Sequence, residues 1–317
     1  MINEILVPID GSPCSEHVLP VALDIARRSG ARVHLVQVHE PVVPAAQAID
    51  MPVFDAAFDG ELRRHEEQYL LSLANRCARV GVRTRTELLD GAVSEAVARH
   101  AAEADIDIIV MTTHGRGGIS RAWIGSVADA LIRRAAVPVL LVRPRTDQGY
   151  WDATLDARHI LIPLDGSRLS ESALRQALIL GGLTGARYTL LRVVPPLPFV
   201  THGTYPIFDQ QGTRESLDDA AAYLERIADE LRAQGATVAI SAVVHGVPAQ
   251  AILDYAARHD VDAIAMATHG RGGWMRFALG SVADTVMRGT ALPIMVYRPL
   301  AAERSDVEHY DRAGAHA

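Results

Sequence analysis

Between Thr112 and Asp129 the chain reads TTHGRGGISRAWIGSVAD, a glycine-rich stretch that follows an apolar run and opens a helical pattern at Gly125-Ser126. Gly115, Gly117 and Gly118 let backbone N–H groups approach a ligand without Cβ interference. Arg116 can add a charge-assisted donor. Ser126 with Asp129 three residues on has capping-box spacing, and the orphan N–H groups and dipole of such a helix start favour an anion, most simply a phosphate. Ser126 Oγ can bind an oxygen as well as cap. A plainer reading stays open, in which the glycines only turn the chain and Ser126 only caps. Gly270, Arg271, Gly273, Gly280, Ser281 and Asp284 repeat the arrangement, and two copies weigh towards phosphate.

Asp10 and Asp165 each follow a short apolar run and precede Gly-Ser. In an open parallel sheet that is where ligands bind, and a carboxylate there can accept from an adenine amine or a ribose hydroxyl. An aspartate opening a Gly-Ser turn is equally ordinary. Other chemistries lack their residues. The 13 histidines form no HExxH or comparable metal spacing, so no metal site is expected, and His114 and His269 read as turn residues. There is no GxSxG elbow, no Ser/His/Asp trio at recognisable spacing and no GxGxxG, so no catalytic residue is assigned. All 31 basic residues are Arg; the absence of Lys excludes a P-loop lysine and a Schiff-base lysine.

The elements that must position these residues come as a duplicated half. ILVPIDGS at 5–12 recurs as ILIPLDGS at 160–167, THGRGG at 113–118 recurs at 268–273, and GSVAD at 125–129 recurs at 280–284, each 155 residues on. VPVLLVRP at 137–144 likewise returns as LPIMVYRP at 292–299. The constant offset implies no net insertion and two complete domains, 1–145 and 158–300, with a linker at 146–157 and a tail at 301–317. Within the first half the apolar pattern predicts strands at 5–9, 33–38, 83–89, 106–112 and 137–142. Helices are predicted after Ser12 and at 61–80, 91–103 and 126–136. Alternation of this kind predicts an α/β fold: two similar doubly wound, Rossmann-like domains, each an open five-stranded parallel sheet with helices on both faces. The stretches 41–60 and 195–213 are expected to be long loops.

A chain of 317 residues with 49% hydrophobic and 22% charged residues is an ordinary globular composition, and no apolar run approaches membrane-helix length. The net charge of -7 and scattered Arg disfavour nucleic acid. Cys14 and Cys77 are isolated, and MINEILVPIDGS has no signal-peptide pattern, so a reducing, cytoplasmic setting is expected.

Both halves resemble the universal stress protein domain, whose ATP-binding members carry Gly, two residues, Gly, nine residues, then Gly-Ser or Gly-Thr. Gly115 and Gly270 fall on the second glycine, and Gly125-Ser126 and Gly280-Ser281 close the motif. Thr112 and Ala267 stand at the first glycine. The resemblance implies nucleoside contact by Asp10 and Asp165 and adenine contact by the backbone of Val38 and Val193. It also implies that Met111 and Met266 precede the loop and that Val127 and Val282 follow Gly-Ser at the phosphates. It implies a tandem universal stress protein that binds ATP, with or without Mg2+, and serves as a nucleotide-dependent sensor or adapter in a stress response. A slow ATP hydrolase and an interaction module that binds no nucleotide are the alternatives. Domain pairing through the last strands, within one chain or in a homodimer, is part of the same expectation.

Overall fold

The computed structural model of the chain describes residues 1–41, 56–113, 124–144, 154–195, 198–199, 207–208, 210–268 and 279–298. It divides into two compact units. One is built on residues up to 113 together with Gly125–Val137, the other on Pro138–Arg143 together with the chain from Leu155.

The first unit runs β1 (Glu4–Pro8), α1 (Pro13–Glu16), α2 (Leu19–Ser29), β2 (Arg32–His39), α3 (Ala56–Arg79), β3 (Thr84–Asp90), α4 (Val93–Glu103), β4 (Ile108–Thr112) and α5 (Ser126–Arg134). Its strands are parallel in the order β4-β1-β2-β3. Ile5, Leu6 and Val7 of β1 and all of β4 are buried, as strands covered on both faces must be, whereas β3 at the edge is largely half-exposed.

The second unit contains β5 (Val139–Val142), β6 (His159–Pro163), α6 (Arg168–Gly182), β7 (Arg187–Val194), β8 (Pro198–Phe199), β9 (Ile207–Phe208), α7 (Gln210–Ala233), β10 (Thr237–His245), α8 (Pro248–Arg258), β11 (Ala263–Ala267), α9 (Ser281–Gly289) and β12 (Ile294–Tyr297). The order is β10-β7-β6-β11-β12-β5, parallel except for the last pair. There β12 meets β5 antiparallel, Met295 opposite Leu140, which covers an edge that would otherwise present unpaired backbone groups. Arg143, just past β5, donates to the carbonyls of Met287 and Arg288 at the end of α9, at 3.1 and 2.8 Å. The antiparallel pair β8–β9 forms a sheet of its own.

Three departures from the sequence pattern appear, in a helix, in the loops and in the repeat offset. The helix after β1 is broken into α1 and α2 because Pro20, near the start of α2, has no N–H to bond into the preceding turn; α6, with Arg175 at the matching place, runs unbroken. The expected loops are shorter: α3 begins at Ala56, inside the stretch 41–60, and β8, β9 and the start of α7 lie inside 195–213. The uniform offset also fails locally, since Gln210 follows Ala56 by 154 residues. The missing residue returns at a bulge in β10, where the register against β7 slips between Val238 and Ile240.

At the amino edge of each sheet a carboxylate pins the first strand. Asp107 Oδ2 accepts from the N–H groups of Asn3 and Glu4 at 2.6 and 3.0 Å, and Asp262 Oδ2 from those of Arg158 and His159 at 3.0 and 2.8 Å. Nearby the first unit buries a histidine pair: His34 and His100 ring nitrogens lie 3.4 Å apart, and His34 Nε2 lies 2.7 Å from Glu4. Burial holds His100 below its ordinary pKa; Glu87 opposes this, while His34 and Arg85 add to it. His100 is therefore neutral when folded yet protonates when unfolded near pH 6.5, so its contribution favours the native state above that value and is lost as pH falls. His100→Asn is expected to lose less melting temperature than wild type between pH 7.5 and 5.5. Equal losses would show that the folded imidazole charges as readily as the unfolded one.

Candidate functional site

Because parallel strands end on one edge, Pro8, His39 and Thr112, the last residues of β1, β2 and β4, share the carboxyl edge of the first sheet. β2 and β3 lie on one side of β1 and β4 on the other, so strand order reverses beside β1, and the crevice there is the usual ligand position in such folds. Asp10 lies just past β1, and Met111 and Thr112 close β4. The second sheet repeats this around β6, with Asp165, Met266 and Ala267. Met111, Thr112, Met266 and Ala267 are buried, whereas Val38 on β2 and Val193 on β7 are half-buried.

The aspartates serve the turn first. Asp10 Oδ1 accepts from the N–H and hydroxyl of Ser12 at 2.9 and 2.6 Å, and Asp165 Oδ1 from those of Ser167 at the same distances. Between each pair stands a glycine in the left-handed region, Gly11 at φ 80° and Gly166 at φ 85°, which a side chain would strain. Ser12 and Ser167 then cap the following helices, accepting from the N–H groups of Ser15 and Ser170 at 3.2 Å. The turn thus orients the aspartate, and a carboxylate offers about four acceptor positions in all. Asp10 also lifts the neighbouring Cys14 thiol, after burial as the larger cause, so that sulfur is no activated nucleophile.

The far wall of the crevice is the start of α5. Gly125 N–H donates to Thr113 O at 2.7 Å, and Gly280 N–H to Thr268 O at 2.9 Å, which brings each helix start back to the strand end it left. Thr113 and Thr268 are both only 1% exposed, so the return is anchored in the core. The capping box expected of Ser126 and Asp129 does not form. Gly125 is the N-cap, Ser126 is already helical and makes no capping bond, and Asp129 pairs with Arg133 at 3.0 Å. Ser281 and Asp284 repeat this, with Asp284 held by Arg288 at 2.9 Å. The reason is the tight return of Gly125, which takes the cap position one residue before the serine. Ser126 and Ser281 consequently stand exposed at the first turn, where the leading N–H groups have no intrahelical acceptor; Val127 and Val282 follow, half-buried.

Gly125 adopts φ −56°, ψ 149° and Gly280 φ −62°, ψ 138°, backbone that any residue enters freely. Glycine is not demanded there by conformation. Gly115, Arg116, Gly117 and Gly118, and Gly270, Arg271 and Gly273, lie outside the described residues.

Sequence reasoning missed a buttress behind the aspartates. Tyr69 on α3 donates to Glu16 at 3.0 Å, and Tyr223 on α7 to Glu171 at 2.9 Å. The tyrosines are 154 residues apart and the glutamates 155, so the shift in the long helices hides the match. Arg192 and Arg226 lie over the Tyr223 ring at 4.9 and 5.5 Å, and Gln37 takes the place of Arg192 in the first repeat. Burial first, then Glu171, pushes the Tyr223 hydroxyl well above the usual phenol range, so it remains a donor. Among the described residues no group of three or more His, Cys, Asp or Glu is placed to hold a metal ion, and no helix is long and apolar enough to cross a membrane.

Against this geometry, known proteins can be set. The sequence pattern of the universal stress protein family matches residues 1–143 and 157–298. A universal stress protein of Methanocaldococcus jannaschii is 31% identical over 146 residues, 45% of this chain and 83% of its own length. One of Mycolicibacterium smegmatis is 26% identical over 299 residues, 93% of this chain and 97% of its own, and so matches across both repeats. The crystal structure of a universal stress protein from Archaeoglobus fulgidus has the same fold, with a TM-score of 0.66 at 20% identity, over 95% of this chain and 97% of that one.

The two kinds of serine separate in a stability measurement. Ser12→Ala and Ser167→Ala remove caps and are expected to cost about 1 kcal/mol each, whereas Ser126→Ala and Ser281→Ala should stay within about 0.5 kcal/mol. Urea midpoints check this, and a cost of about 1 kcal/mol at Ser126 would restore the capping role.

Proposed function

The chain belongs to the universal stress protein family, and from that membership we propose that each repeat binds one adenine nucleotide, ATP foremost, at the carboxyl edge of its sheet. In this reading Asp10 and Asp165 accept hydrogen bonds from the nucleoside, and the backbone of Val38 and Val193 meets adenine. The phosphates lie over Gly125 and Gly280 against the first N–H groups of α5 and α9, with the hydroxyls of Ser126 and Ser281 as further donors. Arg116 and Arg271, with the neighbouring glycines Gly115, Gly118, Gly270 and Gly273, complete the phosphate contacts. The observation that carries the reading is the pair Gly125 and Gly280: glycines that the backbone does not require, each beside an exposed serine that does not cap. A phosphate against that surface uses both features.

Binding outranks catalysis in this reading, because the sequence supplies groups that can donate to phosphate and no recognisable general base or water-positioning residue. The chain then acts as a nucleotide-dependent sensor or adapter in a stress response, in the cytoplasm, with Mg2+ accompanying ATP where the phosphates recruit it. The register of β12 against β5 supports pairing of the repeats through their last strands.

Titration calorimetry of the whole chain with ATP, AMP and NADH tests the reading, with two ATP per chain expected and ATP the tightest. Gly125→Val with Gly280→Val should abolish binding while the circular dichroism spectrum is kept. Asp10→Asn and Asp165→Asn keep the oxygen that Ser12 or Ser167 uses, and each should weaken its own site by about 1–3 kcal/mol. Ala267 is smaller than Thr112, so the second site should bind at least as tightly. No heat with any adenine nucleotide would leave a constitutive interaction module, and a stoichiometry of one ATP per chain, abolished by Asp10→Asn and untouched by Asp165→Asn, would overturn the two-site claim.

A further inference from the structure

His39, the last residue of β2, is fully buried, with no measurable exposure, although its chain neighbour Glu40 is exposed. Both ring nitrogens face carboxylates of α3: Nδ1 lies 2.6 Å from Glu66 and Nε2 lies 2.9 Å from Asp59. A neutral imidazole has one N–H, so two carboxylate acceptors are satisfied together only by the imidazolium. Arg63, one turn from Asp59, reaches Asp59 at 3.6 Å and also binds Asp90, the residue beside His39 in the β2–β3 register. The charges facing the ring are thus Asp59, Arg63 and Glu66 from α3 and Asp90 from β3. On the β1 side stands Asp10, engaged by Ser12. On the same face of β2, two residues earlier, Gln37 Oε1 is buried and makes no hydrogen bond, so it adds no second polar tie there.

The second repeat carries no counterpart of His39, Asp59 or Glu66 at the matching places. Val194 ends β7 where His39 ends β2, and Thr213 and Ala220 fall on the α7 places of Asp59 and Glu66. We propose that His39 is a proton-operated clasp of the first repeat alone: its imidazolium fastens the opening turns of α3 to the carboxyl edge of the sheet, and loss of the proton releases them.

Burial by itself would disfavour the charged ring, but the hydrogen bonds to Glu66 and Asp59 outweigh it and hold the pKa above the ordinary value. The fastening is therefore complete below about pH 6.5, the value of an unfolded histidine, and is lost as pH rises through the raised folded value. This is opposite in sign to His100. It needs no nucleotide, so its failure and that of the binding proposal are separate results.

Amide exchange on the whole chain, corrected for intrinsic rates and read in peptides covering the first turns of α3 and of α7, tests the clasp between pH 6 and 9.5. Histidine ring NMR locates the titration of His39. The α3 peptide is expected to lose protection at least tenfold across that titration while the α7 peptide keeps its own, and His39→Gln to show weak α3 protection at every pH. Should that variant fail to fold, the comparison of the two helices in wild type decides. Flat α3 protection through the titration, an equal loss in both helices, or a ring that stays neutral while a carboxylate holds the proton would each overturn the proposal.

Discussion

The hydrogen bond from Gly125 N–H to Thr113 O, with its copy from Gly280 to Thr268, is the constraint on which each crevice depends. A strand buried on both faces can offer chemistry only at its end, and β4 and β11 are buried throughout. Whatever the intervening chain does, this bond returns it to the strand end and aims a helix start across the aspartate turn. The helix is held from behind by Ala128, Leu131 and Ile132, so its amino end is fixed from two directions. The price of the close return is the cap, which passes from a serine to a glycine.

Much of this was legible because duplication writes each functional pattern twice. The strands, their order of appearance, the long helices and the glycine-serine helix starts all follow from apolar spacing and the repeat. What escaped did so for identifiable reasons. Capping-box spacing at Ser126 and Asp129 says nothing of which residue the backbone will place at the cap, and a long-range bond to Thr113 decided it. Pro20 acts through a missing N–H and leaves no trace in the hydrophobic pattern. The one-residue slip between α3 and α7 is invisible to motif matching because a bulge in β10 cancels it before the next motif. His39, Asp59 and Glu66 are brought together only by the packing of a helix on a strand, and no spacing rule announces them.

The repeats also show why matched residues need a location before they mean function. Asp107 and Asp262 match as faithfully as Asp10 and Asp165, yet they sit at the amino edge and do nothing but hold strand starts. Asp105 and Asp260, both with φ of 48°, match as well, which marks a shared backbone bend. Departures are the more informative class. Gln37 against Arg192 and His39 against Val194 lie on the strand that borders each crevice, so two crevices with matching helix starts have different electrostatic floors.

Antiparallel pairing of β5 with β12 also sets a problem for vectorial synthesis. The ribosome completes Val142 and must add the 155 residues up to Tyr297 before that edge can be covered, a wait of roughly 8–30 s at about 5–20 residues per second. During that time Val-Leu-Leu-Val presents a bare, wholly apolar edge to any other nascent strand. Pro138 and Pro144 bracket it, and neither can donate to an intruding ladder. Arg143 adds a charge whose carbonyl acceptors lie on a helix not yet made. The first half of the gene thus encodes the protection its product needs while the second half is still being read.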